Sequence, residues 1–262
     1  AAPLALIEAY ADQSCAIDGD NRVQCWGGGE GQNPVPMPDR VRDIAIGERN
    51  GCAVRVDGTL ACWGWNGNGQ STPPPGRFRA VSTALNHSCA VGADARVSCW
   101  GYNADGQSTP PSRTFRSVDN GERHSCGIAT DGTMHCWGLG SEGQTTPPDI
   151  DGVTYSALAV GAFHNCAITG AGSVVCWGRN TEGQSTPPIE GRFFAISAGD
   201  THTCAISDSG VRVCWGGNAV GQAPVPALGP YPLPPAVLGQ PYRVDLAMLA
   251  EGGYMPTGPK FQ

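Results

Sequence analysis

The residues best suited to chemistry in this chain are its twelve cysteines and four of its five histidines. The cysteines form six pairs of the form Cys-x9-Cys, and from the third pair onward a histidine stands two residues before the first cysteine. Thiolate and imidazole groups can hold zinc, whereas strictly paired cysteines are typical of disulfides in an oxidising compartment. Zinc is the weaker interpretation, because Gln13 and Asn50 replace the histidine in the first two repeats and each site would lack a fourth ligand.

Other patterns that could support catalysis or metal binding are weak. No serine lies in a Gly-x-Ser-x-Gly sequence. The stretch "DGDN" at 18–21 fits a hairpin turn better than a calcium loop, because the later acidic ligands of an EF-hand are missing. Asn86-His87-Ser88 is a lone glycosylation sequon of a kind that often arises by chance. The sequence therefore predicts no catalytic residue, no metal, no cofactor and no enzymatic activity.

The elements that carry the cysteines recur, with first cysteines 37, 37, 37, 40 and 38 residues apart. The fourth repeat is predicted to contain three short strands, at Phe115 to Val118, at "HSCGIA" and at "TMHCWG". Asp131-Gly132 predicts a hairpin turn between the last two strands. Nothing in the repeat has a helical apolar period. The chain is therefore predicted to be all-β, and several short strands at this period favour a β-propeller.

The hairpin accounts for the spacing of the cysteines. Folding "CGIATDGTMHC" about its turn places Cys126 opposite Cys136, near disulfide reach. Trp137 then points to the other face, where it either packs between neighbouring blades or joins a ring of tryptophans elsewhere. The predicted disulfides are Cys15–Cys25, Cys52–Cys62, Cys89–Cys99, Cys126–Cys136, Cys166–Cys176 and Cys204–Cys214.

Composition limits the environment and the partners. The 262 residues carry a net charge of −7, and no cluster of Lys and Arg is visible, so a nucleic-acid partner is not expected. No apolar run is long enough to span a membrane. Six disulfides place the chain outside the reducing cytosol, so the expected location is secreted or at the cell surface, with the periplasm as an alternative.

The repeats resemble a known family. The stretch "GERHSCGIATDGTMHCWGLGSEGQ" and its copies share one order of motifs: Gly-x-x-His, a hairpin with Asp-Gly, Trp-Gly-x-Asn and Gly-Gln. This order resembles the regulator of chromosome condensation repeat, and the resemblance extends over about residues 4 to 226. The resemblance implies a propeller, with six blades expected from the visible repeats and seven as the alternative. It also implies a structural role for the repeated histidines, namely His87, His124, His164 and His202. The paired cysteines look like those of secreted bacterial members, so the nuclear protein's nucleotide-exchange and chromatin roles are not expected here.

Positions that differ between the repeats indicate a partner surface. The residue after Cys-Trp-Gly and the third residue before each first cysteine vary, and antiparallel pairing brings the two sets to one rim, opposite the Asp-Gly turns. Aromatic and arginine side chains in exposed loops are typical binding anchors, although ordinary exposed loop residues would show the same pattern. The predicted binding residues are Trp65, Tyr102, Leu139, Arg179, Arg49, Arg123 and Phe163.

The sequence divides into a propeller at 1–226 and a Pro-rich tail at 227–262. The tail resembles the first strands of an immunoglobulin-like domain, and "YRVDLAML" alternates like a strand. We expect the tail outside the ring, with a seventh blade or packing on its own propeller as alternatives. Two functions remain open: a non-enzymatic extracellular binding module for a protein or glycan, or a structural subunit of a surface fibre or layer whose tail contacts a neighbouring copy.

Overall fold

The computed structural model describes residues 4–10, 13–27, 40–187, 191–219 and 221–223. They form six three-stranded antiparallel sheets, one for each repeat, and no helix, so none of them forms a helix that could cross a membrane. The all-β prediction is confirmed, whereas the tail at 227–262 lies outside the described residues. The strands are β1 Leu4–Tyr10, β2 Gln13–Asp18, β3 Val23–Gly27, β4 Val41–Ile46, β5 Asn50–Arg55, β6 Leu60–Gly64, β7 Phe78–Thr83, β8 His87–Gly92, β9 Val97–Gly101, β10 Phe115–Asn120, β11 His124–Ala129, β12 Met134–Gly138, β13 Tyr155–Val160, β14 His164–Thr169, β15 Val174–Gly178, β16 Phe193–Ala198, β17 His202–Ser207 and β18 Arg212–Gly216.

Each sheet is a simple meander in which the first strand pairs with the second and the second with the third. The three strands predicted in the fourth repeat are confirmed as β10, β11 and β12. Gly132 in the hairpin turn has φ of +89°, a conformation that favours glycine. The Asp131 carboxylate accepts a 2.9 Å hydrogen bond from the Thr133 amide, which closes the turn.

The six disulfides form as predicted, each across one hairpin. Cys126 on β11 lies directly opposite Cys136 on β12, with their Cα atoms 4.0 Å apart, and the other five pairs have the same register. The sulfur atoms are therefore bonded to each other, which leaves no thiolate for a zinc ion. Each bridge closes a loop of the same length, because the two cysteines are always ten residues apart in sequence.

From the second repeat onward, the tryptophan after the second cysteine packs against the disulfide of the preceding repeat. Trp177 joins a buried cluster with Cys126 and Cys136, and Trp100, Trp137 and Trp215 are placed in the same way on the disulfides before them. The Trp177 indole Nε1 also donates a 2.9 Å hydrogen bond to the carbonyl oxygen of Gln144, in the loop that leaves the preceding sheet. The expectation that the tryptophans pack between neighbouring blades is confirmed from the second repeat onward, whereas Trp26 of the first repeat is 47% exposed, and the ring of tryptophans is not formed.

Successive sheets also meet along their first strands. β4 contacts β7, β7 contacts β10, β10 contacts β13 and β13 contacts β16. Two carboxylates join these strands: Asp43 accepts a 2.9 Å hydrogen bond from the Val81 amide, and Asp119 accepts one of the same length from the Val160 amide. The sheets therefore stand side by side like the blades of a propeller, with their first strands innermost.

Replacing Cys126 and Cys136 together by alanine is expected to destabilise the protein more than replacing Cys204 and Cys214. Both disulfides close loops of equal length, so the chain-entropy loss is the same, about 3 kcal/mol in each case. The first also supports Trp177, whereas the buried cluster around the second contains no tryptophan among the described residues. Urea unfolding of the two double variants measures the difference, and equal losses would show that the tryptophan contact adds nothing.

Candidate functional site

The candidate site lies at the end of the sheets where each first strand turns into the second. We call the turns at 47–49, 84–86, 121–123, 161–163 and 199–201 the inner turns. The loop after each third strand is hydrogen-bonded to an inner turn: the Leu139 amide donates to the Arg123 carbonyl and the Arg179 amide to the Phe163 carbonyl, each at 2.9 Å. The two variable sets of residues are therefore adjacent, and together they form the rim that the sequence predicted.

The predicted rim residues differ in exposure. Trp65 is 55% exposed, and Arg49 is also exposed. The other five predicted rim residues are half-buried, namely Tyr102, Leu139, Arg179, Arg123 and Phe163. None of the seven is buried between blades, so all of them can be reached from solvent. Whether they bind a partner stays a prediction.

Ion pairs hold two of the rim arginines in place. Arg123 lies 2.6 Å from the Asp105 carboxylate through one guanidinium nitrogen and donates a 2.8 Å hydrogen bond to it through Nε. Arg179 lies 2.9 Å from Glu142 and stacks on Phe163, with its guanidinium carbon 4.1 Å from the ring centroid. Ion pairs that remain accessible to solvent, as these do, add little stability, commonly less than about 1 kcal/mol. Their effect is to fix the orientation of side chains that face solvent.

Sequence reasoning missed the acidic members of these pairs. Asp105 and Glu142 occupy the same repeat position, directly before Gly-Gln, and each pairs with an arginine of the next repeat. A comparison of charges at equivalent positions in successive repeats could have found them. In the second repeat the position carries Asn68, whose side chain instead donates a 3.2 Å hydrogen bond to Asn86 of the third repeat.

The inner turns also enclose a cavity of about 250 Å³, which we call the axial cavity because five repeats contribute the same turn to its wall. Glu48, Glu122 and Asp200 line it, together with Thr83 and Asn120 from the ends of the first strands. The sequence analysis did not identify these residues. The turns approach each other closely because of their glycines: a Cβ at Gly121 would lie 2.4 Å from the Gly161 carbonyl oxygen.

Three of the repeated histidines are buried in the joints between blades. Nε2 of His124 lies 2.8 Å from Oδ1 of Asn165 in the next repeat. Because Nδ2 of Asn165 donates to the Gln144 carbonyl, Oδ1 is the acceptor and the histidine must carry its proton on Nε2. His87 and His164 bond Ser125 and Thr203 in the same way.

Burial keeps these imidazoles neutral. Loss of solvation lowers the pKa of His87 to about 3 and the pKa of His124 and His164 to about 4. A neutral, buried ring with its Nε2 proton held by the next repeat is suited to joining blades. Within the described residues, no three His, Cys, Asp or Glu side chains are close enough to hold a metal ion.

The regulator of chromosome condensation (RCC1) repeat matches five segments of the chain, residues 41–70, 78–107, 115–144, 155–184 and 195–222. No curated protein matches the sequence significantly. Among solved structures, the ectodomain of the receptor kinase CR4 from Physcomitrella patens is similar, with a TM-score of 0.68, 25% identity, and coverage of 82% of this chain and 62% of that ectodomain. The ectodomain of the receptor kinase ACR4 from Arabidopsis thaliana has a TM-score of 0.65 and 24% identity, and the match covers 85% of this chain and 82% of that ectodomain. Prp20p from Saccharomyces cerevisiae has a TM-score of 0.71 and 16% identity, and the match covers 87% of this chain and 74% of Prp20p.

The buried histidines predict a loss of stability in mild acid. Their pKa is lower in the folded chain than the ordinary 6.5, so unfolding takes up protons between about pH 6.5 and 4, and the free energy of unfolding falls as the pH is lowered through that range. The lowered pKa corresponds to at most about 4 kcal/mol for His124 and for His164 and to at most about 5 kcal/mol for His87, since one pKa unit corresponds to about 1.4 kcal/mol.

His124→Gln tests this, because glutamine is the residue that the first repeat itself places at that position, where Gln13 is buried. We expect a flatter dependence of the urea midpoint on pH between 7 and 4.5, by about one proton. His135→Gln, on a half-buried strand position, is the control and should change the slope less. An unchanged slope in His124→Gln would contradict the assignment.

Proposed function

Since the chain belongs to the regulator of chromosome condensation repeat family and has the β-propeller fold of that family, we propose that it is a non-enzymatic extracellular module that binds a protein through the rim. The observation that carries the proposal is the contrast between the two kinds of repeat position. At the positions that are alike in successive repeats, the residues are cysteine, tryptophan, glutamine and histidine, and they form the contacts between neighbouring blades. The varied residues stand at the rim, on turns that those joints hold rigid.

The chemistry of the rim supports recognition of another protein. Trp65 is exposed, Phe163 carries a stacked guanidinium, and Arg123 is oriented by Asp105. Tryptophan, tyrosine and arginine are the side chains that contribute most of the binding energy at protein interfaces. Side chains that are already fixed lose less conformational entropy on binding.

The six disulfides support a location outside the reducing cytosol, because such bonds persist in oxidising compartments. The similar CR4 and ACR4 structures are both receptor ectodomains, which is consistent with an extracellular propeller. Prp20p has binding properties toward Gsp1p and histones, so a propeller of this fold can bind other proteins.

Removing the aromatic anchors tests the proposal. The immobilised full chain is exposed to extracellular material from its source organism, and captured proteins are identified and quantified by mass spectrometry. The triple variant Trp65→Ala, Tyr102→Ala and Phe163→Ala is expected to lose at least about tenfold in capture of a specific partner, because each anchor commonly contributes more than about 1 kcal/mol.

The matched control is Val56→Ala, Ile150→Ala and Phe194→Ala. These are also large exposed apolar residues outside the rim: Val56 and Phe194 lie at the hairpin-turn end of their sheets, and Ile150 lies in the loop that leads to β13. The control should retain the partner. Loss of capture in the control instead of the rim variant would place binding on the opposite face. Capture that survives protease and is abolished by glycosidase would identify a glycan, and concentration-dependent polymers of the chain alone would favour the structural-subunit alternative.

A further inference from the structure

The axial cavity carries chemistry that the proposed function does not yet use. It has a volume of about 250 Å³ and is lined by the inner turns of repeats two to six, at the centre of the rim. Glu48, Glu122 and Asp200 bring three carboxylates to its wall. Asp200 is exposed, so the cavity is open to solvent on this side.

Two of the three carboxylates keep their charge uncompensated. Glu48 has a cation nearby, since Nε of Arg49 lies 3.7 Å from its carboxylate. No ion pair within the described ranges involves Glu122 or Asp200. Arg123 follows Glu122 in sequence, but its guanidinium is paired with Asp105. The cavity is therefore negatively charged.

Two buried side chains in the same wall have oxygen atoms without a hydrogen-bond partner. Thr83 and Asn120 are each only 7% exposed, and both line the axial cavity. Oγ1 of Thr83 and Oδ1 of Asn120 form no hydrogen bond with any part of the chain that the structure describes. Nδ2 of Asn120 donates a 2.8 Å bond to the Ser82 carbonyl, which fixes the amide and leaves Oδ1 as the free acceptor. Buried acceptors without a donor are uncommon, because desolvating them is unfavourable.

The other repeats show that the fold does not require polar side chains at this position. The last residue of the first strand is Ile46 in the second repeat, Val160 in the fifth and Ala198 in the sixth. An apolar side chain would thus complete the strand without the cost of an unpaired oxygen. The two oxygens in repeats three and four are better explained as acceptors for a ligand that donates hydrogen bonds.

The size and composition of the cavity define that ligand. Its volume is below the roughly 300 Å³ at which pockets accept drug-sized molecules, and it suits a single side chain. The described residues offer no group of three His, Cys, Asp or Glu that could hold a metal ion, so a larger organic cation fits better. A guanidinium offers five donors and no acceptor, which complements carboxylates, an amide oxygen and a hydroxyl.

We propose that the axial cavity receives a basic side chain, arginine above all, from the protein that docks on the rim. This inference rests on the proposed function, since the rim would hold the rest of the partner around the inserted side chain. The carboxylates of Glu122 and Asp200 neutralise the cation, and the oxygens of Thr83 and Asn120 orient it.

Titration of the isotope-labelled full chain with blocked arginine, N-acetyl-arginine-N-methylamide, tests the cavity directly by NMR. We expect saturable shifts of the amides at 84–85, 121–122 and 199–200. The blocked citrulline analogue has the same shape without the charge and should bind at least about tenfold more weakly. Blocked lysine binding at the same amides would support a basic-side-chain site, whereas equal binding of citrulline would overturn it.

Glu122→Gln combined with Asp200→Asn is expected to weaken binding of blocked arginine at least about tenfold. Asp149→Asn with Asp151→Asn is the matched control, because it removes the same charge from exposed positions outside the cavity. Equal affinities of the two double variants would overturn the inference. Asn120→Val gives a second test with the residue type found at Val160, and should bind more weakly while unfolding at an equal or higher urea concentration.

Capture experiments separate this inference from the proposed function. If the Glu122→Gln, Asp200→Asn variant still captures the partner as well as the unaltered chain, and the rim variant does not, the rim function stands and the cavity inference is wrong. If blocked arginine binds in the cavity as expected but the rim variant keeps its partner, the proposed rim function is wrong and the cavity site stands.

Discussion

The contact between the tryptophan of one repeat and the disulfide of the repeat before it is the interaction on which the rest of this structure depends. A sheet of three short strands cannot bury its own faces, so it is stable only when neighbours cover it. The bridge Cys126–Cys136 provides a compact apolar surface, and Trp177 covers it while its indole binds the Gln144 carbonyl. Where no earlier disulfide is available among the described residues, as for Trp26, about half of the side chain is exposed.

This joint explains why Cys-Trp-Gly and Gly-Gln must occur together in a repeat. The side chain of Gln144 accepts a 2.8 Å hydrogen bond from the Glu142 amide, which holds its own loop in shape. Its carbonyl is thereby presented to the tryptophan of the next repeat, and also to Asn165, which binds His124. The loop of one blade and two side chains of the next thus form one hydrogen-bonded unit. Since a missing member would leave buried polar groups without partners, the whole set recurs.

The sequence was most informative where one residue depends on a near neighbour. The distance from Cys126 to Cys136 and the Asp-Gly turn between them are local, so their register could be worked out and was correct. The adjacency of Leu139 and Arg123 followed from the same pairing. The pairing of Arg123 with Asp105 and the meeting of Thr83 with Asn120 in one cavity depend instead on how sheets are placed beside each other. That placement is set by the tryptophan joints, whose partners are one repeat away, and no single hairpin contains the information.

The inner turns show how the repeat separates architecture from recognition. Gly121 has no room for a side chain, because the next turn and the ring of His124 lie where its Cβ would be, and Gly161 and Gly199 are confined by their own histidines. The side chain of the residue that follows is not confined in this way, and that residue is Glu122, Ala162 or Asp200 in three successive repeats. The scaffold therefore fixes the backbone up to the glycine and leaves the next side chain to vary. A propeller built this way can change the charge of its axial cavity one repeat at a time without disturbing a joint, because within the described residues the joints use the backbone at this position, as in the 3.4 Å hydrogen bond from the Glu122 amide to the Ala162 carbonyl, and not its side chain.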